Sequence, residues 1–309
     1  MLEMLNVFGP NLATTEGQQW QRHRKITAAC FNEHNNALVW SETIYQAIGM
    51  LNHWSAKSTI NSVADDVRTV SLHVLSSAGF GKSYPFRSAE RSTTQESSSY
   101  QESLKLILDN CIPLVALGPN NLNKWWLLRS WNELYEATVT FRNYMTAVYE
   151  EEREAIAHGQ NRATNLMTSL VRASQTVTEV DGMAQGGSPQ QTGLTEQEIY
   201  GNIFVFNFAG HDTTANTLAF GIALIATRPD IQDWIAAEIK IVFGNENPVT
   251  SSYIEKFPRL KRCLAIAVCH FLEMSSVRLV LISSNLVRNC ASLHACGDGQ
   301  DYGATIAIP

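Results

Sequence analysis

The segment NFAGHDTTANT, residues 207 to 217, places a glycine, a carboxylate and two adjacent threonines inside a long apolar run. Gly210 costs about 1 kcal/mol in a helix relative to alanine, and the hydroxyls of Thr213 and Thr214 compete for backbone carbonyls. A carboxylate at Asp212 is costly to bury unless it is paired. When several residues that are unfavourable in a buried helix occur together, they usually mark a functional site. We therefore expect an acid and a hydroxyl that relay protons to a ligand on this face; the alternative is that the small residues only let two helices cross closely.

A second candidate site lies upstream, where Trp20 and Arg24 are four residues apart and therefore share one face of a helix. An indole N–H beside a guanidinium forms a donor pair that suits a partly buried carboxylate. The simpler alternative is that Arg22, Arg24 and Lys25 form a solvated basic face. The spacing alone does not decide between a binding pair and a basic surface.

The elements that must position these residues are predicted to be helices, and the fold class is mainly α. The candidate segment lies in a helix that should begin at Thr195, where Glu198 three residues later completes a capping box. Arg228 and Pro229 should mark its end. Because this helix is apolar on nearly all faces, we expect it to be buried. His23 and His211, as single histidines on helices, are more typical of core or surface positions than of metal ligands, and no metal ligand is predicted.

Composition excludes several classes of protein. The 309 residues carry a formal net charge of −6, so nucleic acid is not an expected partner. The sequence has no apolar run long enough to cross a membrane, and six scattered cysteines without a C-x-x-C pair predict free thiols. A Gly, Ser, Pro and Gln-rich segment at about residues 176 to 194 is expected to be a flexible linker.

The segment AGHDTT resembles the oxygen-activation motif on the long central helix of cytochromes P-450, the haem-thiolate monooxygenases. The following RPDIQDWIAAEI resembles the next helix of that family. The resemblance implies a partial cytochrome P-450 fold with a long central oxygen-binding helix. It also implies that Thr213 supplies the hydroxyl that assists oxygen activation, that Asp212 feeds the proton relay, and that Ala209 and Gly210 lie against the haem.

The W-x-x-x-R spacing of Trp20 and Arg24 is similar to the family's pair that binds a haem propionate. For the intact protein the resemblance implies haem as cofactor, a lipophilic small molecule as substrate, and an NADPH-dependent reductase as redox partner at the endoplasmic reticulum membrane. The relatives it suggests are fungal. Because the family's membrane anchor would precede Leu5, we expect no anchor in this chain and a cytoplasmic location for it as written.

The resemblance covers roughly residues 5 to 267, which we take as a partial cytochrome P-450 domain, and residues 268 to 309 are expected to be an aberrant tail. Glu273 and Arg278 are five apart, so they do not form the family's E-x-x-R pair. The cysteine loop that ligates haem iron, F-x-x-G-x-R-x-C-x-G, is matched around neither Cys290 nor Cys296. We therefore expect a fragment, or a splice or frameshift product, that lacks the iron ligand and is inactive as written.

Two alternatives stay open from the sequence. The chain could be a catalytically dead helical remnant that does not ligate haem iron. It could also be a helical interaction protein unrelated to haem, although that would leave Asp212 and the Trp20 and Arg24 pair without an explanation.

Overall fold

A computed structural model describes residues 5–58, 60, 62–86, 95–122, 129–159, 165–182, 193–248 and 251–267. Every regular element within these ranges is helical, which confirms the mainly α class. In chain order the helices are α1 Gly17–Ala29, α2 Glu33–Ser55, α3 Val63–Phe80, α4 Gln95–Asp109, α5 Cys111–Leu117, α6 Pro119–Leu122, α7 Arg129–Ala157, α8 Leu166–Gly182, α9 Glu196–Ala226, α10 Pro229–Phe243 and α11 Tyr253–Lys256. A short 3₁₀ turn, Phe257–Arg259, and a helical segment from 261 to 267 follow.

The boundaries of the helices follow from local chemistry. The side chain of Asn32 accepts a hydrogen bond from Asn35 N at 3.0 Å and begins α2. Ser62 begins α3 in the same way. The end of α3 is set by Gly81, whose φ of 71° lies in the left-handed region that glycine reaches without steric cost. Gly81 is therefore the residue at which α3 stops.

The hydrophobic core lies around the first half of α9. Phe8, from the segment that precedes α1, has ring-centroid distances of 5.3 Å to Phe141 on α7 and 5.1 Å to Phe204 on α9. This segment crosses α9 so closely that a Cβ on Gly201 would overlap the carbonyl oxygen of Gly9. A glycine is thus required at 201 by the crossing of two backbones.

The central helix α9 begins as predicted but is buried over only part of its length. Thr195 accepts from Glu198 N at 3.2 Å, and Glu198 accepts from Thr195 N at 2.8 Å, so the predicted capping box is present. Beyond Phe208, however, only His211 and Ala215 are buried within the helix. The expectation of burial on nearly all faces is wrong for this second half, because mean apolarity does not reveal which faces of a helix neighbouring elements cover.

The segment expected to be a linker is partly helical. Helix α8 is described as far as Gly182, and apolar residues recur at helical spacing in its sequence. Residues 183 to 192 lie outside the described residues. So do residues 268 to 309, which include Glu273, Arg278, Cys290 and Cys296.

Candidate functional site

Trp20 and Arg24 lie together on the outer face of α1. The Arg24 guanidinium carbon is 5.2 Å from the centroid of the Trp20 ring, a cation–π contact, and both side chains are exposed. Among the described residues no carboxylate forms an ion pair with Arg24. The stacked indole holds the guanidinium in place, and the N–H donors of the guanidinium are available for an incoming anion.

The inner face of α1 is fixed to α9 by buried polar contacts. Arg22 binds Glu198 with two hydrogen bonds, at 2.5 and 3.1 Å. His23 is fully buried, with Nδ1 3.0 Å from Asn202 Nδ2 and Nε2 3.3 Å from Glu198 Oε1. Asn202 also accepts from Leu12 N at 2.9 Å. Arg22 is thus a structural ion-pair residue and not part of a solvated basic face.

The Glu198 carboxylate is the centre of this network. Burial alone would raise the pKa of Glu198, but the contacts from His23, Arg22 and the Thr195 backbone lower it to about 2. The contact of Asn202 Nδ2 with Nδ1 of His23 directs the opposite ring nitrogen, Nε2, toward Glu198. The network therefore sets the position of α1, and with it the outward direction of Trp20 and Arg24.

The candidate oxygen-activating residues of α9 do not share one direction. Ala209 and Thr213 are one helical turn apart on an exposed face, where the Thr213 hydroxyl donates to the Ala209 carbonyl oxygen at 2.6 Å. This open face of α9 continues at one end to Phe206, whose ring makes an edge contact of 5.4 Å with Phe31 just after α1. At the other end it continues to Phe220 and Leu224, which are 59% and 47% exposed.

Gly210 packs closely against α3. A Cβ at this position would lie 3.0 Å from Cδ2 of Leu75 on α3. Ser71, one turn before Leu75, also donates to the carbonyl oxygens of Gly210 and His211, at 3.2 and 3.1 Å. The geometry therefore gives the glycine a packing reason, the close crossing of two helices, whereas the resemblance placed it beside Ala209 against the haem.

Asp212 is paired, as a carboxylate in a largely apolar helix requires, and it is not buried. Its side chain is 46% exposed, and Oδ1 lies 3.4 Å from Nε of Arg68 on α3. Arg68 also lies 3.7 Å from Asp65, which makes it a shared cation between two carboxylates. Asp212 and Arg68 are 144 positions apart in the sequence, so no local sequence pattern predicts this pair.

Asp212 lines a polar cavity of about 560 Å³ between α3, α4 and α9. Its charged and titratable lining consists of Asp65, Arg68, Lys105, Asp109, His211 and Asp212. His211 is 2% exposed, and neither of its ring nitrogens has a hydrogen-bond partner among the described residues. Sequence reasoning dismissed His211 as an ordinary core or surface histidine; the only available signal was its place next to Asp212.

The cysteines within the described residues do not resemble reactive or ligating thiols. Burial raises the pKa of Cys30 to about 12, and burial together with Glu238 raises that of Cys263 to about 11. Burial and the charge of Asp212 also raise the pKa of Cys111. In this part of the chain no three His, Cys, Asp or Glu residues are grouped as a metal site requires.

The described part of the chain is a set of helices packed around the long helix α9, with Trp20 and Arg24 exposed on α1. The family model for cytochrome P450 matches residues 5–265, so the chain belongs to the cytochrome P450 family. A haem cofactor and redox chemistry are properties of that family.

Similar proteins include fungal monooxygenases. A cytochrome P450 monooxygenase of Penicillium roqueforti is 29% identical over 84% of this chain and 45% of its own length. One from Postia placenta is 28% identical over 99% of this chain and 56% of its own length. The chain thus spans about half the length of the relatives it matches. The second alignment extends beyond residue 267, whereas the family model ends at 265, so the aberrant tail stays a prediction.

Solved structures show the same fold. The haem domain of cytochrome P450DA matches with a TM-score of 0.61 at 17% identity, over 85% of this chain and 51% of that one. A zebrafish cytochrome P450 determined with progesterone matches with a TM-score of 0.62 at 16% identity, over 86% and 57%. Among the helices described, none combines the length and apolarity that crossing a membrane requires.

Proposed function

We propose that this chain is the part of a haem-dependent monooxygenase that contains the oxygen-binding helix. The whole enzyme would oxidise a lipophilic small molecule. In the whole protein an NADPH-dependent reductase at the endoplasmic reticulum membrane supplies the electrons. The observation that carries the proposal is the Trp20 and Arg24 pair, which is exposed, stacked and without a carboxylate partner in the described structure. An anionic ligand group is what such a donor pair lacks.

The residues present fit one side of a haem. Arg24 and Trp20 have donors free for a propionate, and the open face of α9 offers apolar surface at Phe206, Ala209 and Phe220. Haem, when bound, would supply the redox chemistry of oxygen activation. That this chain lacks the iron ligand stays a prediction, made because the cysteine loop is matched around neither Cys290 nor Cys296.

The roles proposed for the chain's own residues combine the family resemblance with the positions of these residues. Arg24 would bind a propionate, with Trp20 holding the guanidinium and donating its indole N–H. Ala209 would pack against the ring, since its small side chain leaves the open face of α9 flat. The Thr213 hydroxyl would donate a hydrogen bond toward the oxygen side once its bond to the Ala209 carbonyl opens. Asp212, on the cavity side, would take up protons from solvent and pass them toward that face.

The test is haem titration of the chain, followed by the Soret absorbance. We expect saturable binding, and a fall in affinity of about tenfold or more for Arg24→Ala, because a hydrogen bond to a charged group contributes about 1.5–3 kcal/mol. Lys25→Ala is the matched control, since Lys25 is an exposed cation on the adjacent position of α1. Equal affinity for wild type and Arg24→Ala would refute the propionate role, and the absence of saturable binding would favour the remnant that does not bind haem.

A further inference from the structure

We propose that Arg22 and Glu198 are positioning residues, because their ion pair sets the place of α1 relative to α9. The pair thereby fixes the distance from the donors of Trp20 and Arg24 to the open face of α9. A ligand that lies against this face and carries an anionic group would meet those donors without a movement of either helix. The setting of the two helices is a property of the described chain, and only its use in haem binding rests on the proposed function.

Apolar packing alone holds α1 weakly against α9. Among the helices, α1 packs its backbone mainly against α8 and approaches α9 less closely. The buried residues of α1 are His23, Ile26 and Thr27, of which only Ile26 is apolar. Just after the helix, the exposed ring of Phe31 touches Phe206 of α9 by an edge. The relation between α1 and α9 must therefore depend largely on polar side chains.

The ion pair joins the middle of α1 to the beginning of α9 at three points. Nη1 of Arg22 donates to the carbonyl oxygen of Gly193 at 2.5 Å and to Oε2 of Glu198 at 3.1 Å, and Nη2 donates to Oε1 of Glu198 at 2.5 Å. A planar guanidinium that binds both oxygens of a carboxylate fixes direction as well as distance. The two side chains are only 15% and 10% exposed, so water competes little for these bonds.

The position of α1 matters because Arg24 lies two residues after Arg22 on the same helix. A shift of α1 would carry Arg24 with it, whereas the stack on Trp20 would survive because both residues belong to α1. A misplacement of about 1 Å is enough to lose much of what a positioned group contributes. The ion pair would therefore act on an anionic ligand through Arg24, without touching the ligand itself.

The alternative is that the pair only stabilises the folded chain. That role predicts a lower free energy of unfolding when the pair is removed, but an unchanged relation between α1 and α9 in the molecules that remain folded. A direct attraction of the anion by the charge of Arg22 contributes little in either case, because Glu198 neutralises that charge at hydrogen-bond distance.

The test variant combines Arg22→Met with Glu198→Gln. It removes both charges and so leaves no buried charge unpaired, and a glutamine at the third helical position keeps the capping box with Thr195. The matched control combines Arg172→Met with Glu152→Gln, which removes an ion pair of 2.9 Å between α8 and α7. Both variants lose one cation and one anion, so the net charge of the chain stays the same.

The first readout is NMR of the haem-free chain with labelled phenylalanine. The edge contact of Phe31 with Phe206 joins α1 to α9, so the ring-current shifts of their protons report the relation between the two helices. We expect these shifts to decrease in the test variant and to keep their wild-type values in the control. Unchanged shifts in the test variant overturn the proposal. If the test variant does not fold, Arg22→Lys, which keeps the charge but loses the two-point geometry, decides the question by the same shifts.

The second readout is a double-mutant cycle of haem affinity. Arg24→Ala should weaken binding by about tenfold or more in the wild-type and control backgrounds. In the test variant the same substitution should weaken it by about threefold or less, because a displaced guanidinium no longer reaches the anion and the effects of linked sites do not add. Equal losses in all backgrounds overturn the proposal. If no variant binds haem, the proposed function fails, while the ring-current shifts still decide whether the pair positions α1.

Discussion

The Thr213 hydroxyl donates a hydrogen bond of 2.6 Å to the carbonyl oxygen of Ala209, one turn earlier in α9. The bond lies on an exposed face of the helix, so water could replace the partner of either group. A back-bond of this kind adds little to stability and competes slightly with the regular helical bonds. The fold therefore shows no structural need for a hydroxyl group at this position.

We expect Thr213→Val to change the free energy of unfolding by less than about 0.5 kcal/mol, since it alters an exposed position away from any cap or core contact. Urea denaturation of both chains, compared at constant m-value, measures the difference. A loss of several times that size would show that the hydroxyl is structural, and it would remove the reason to assign it a chemical role.

Thr195, at the start of the same helix, gives the opposite expectation. Its side chain satisfies the Glu198 N–H, and the cap is lost in Thr195→Ala. We expect a decrease of about 1 kcal/mol in the free energy of unfolding, the usual cost of removing such a cap. The same urea denaturation experiment measures this decrease, and Thr213→Val, a threonine substitution in the same helix, is the matched control. Equal effects at the two positions would contradict this assignment.

The stability of the chain should depend on the ionisation of Glu198. Its pKa is about 2 in the folded chain, compared with an ordinary value of 4.5, so folding favours the carboxylate. The stabilisation is present above about pH 4.5 and is lost as the pH falls toward 2, at up to about 1.4 kcal/mol per pH unit.

Urea unfolding measured from pH 6 down to pH 3 tests this dependence. In Glu198→Gln the stability should be lower at pH 6 and the slope between pH 4.5 and 3 should be smaller. Glu16→Gln, at an exposed carboxylate before α1, should keep the slope of the wild type. An unchanged slope in Glu198→Gln would mean that other carboxylates dominate acid unfolding.

The features that the sequence predicts correctly are local. The capping box needs only Thr195 and Glu198, three residues apart, and the helical pairing of Trp20 and Arg24 needs only their spacing. The features that it does not predict depend on distant partners. Arg22 pairs with Glu198 across 176 positions, and Asp212 with Arg68 across 144, so a basic cluster and an isolated acid could not be assigned from their neighbours alone.

Two of the three glycines of α9 make close contacts of different kinds, one with a backbone and one with a side chain. At Gly201 an added Cβ meets the backbone of Gly9 and Pro10, which cannot move aside without shifting the whole segment before α1. At Gly210 it meets only the end of the Leu75 side chain, at 3.0 Å, and that side chain can change rotamer.

We therefore expect Gly201→Ala to lower the free energy of unfolding by about 3 kcal/mol or more, the upper range for overpacking. Gly210→Ala should be close to neutral, because the gain of about 1 kcal/mol in helix propensity offsets the repacking of Leu75. Thermal and urea unfolding of both variants measure this difference. Haem titration of Gly210→Ala is a second test. Unchanged haem affinity would support packing against α3 as the role of the glycine. Weaker haem binding by a stable variant would support the haem-facing position that the resemblance implied.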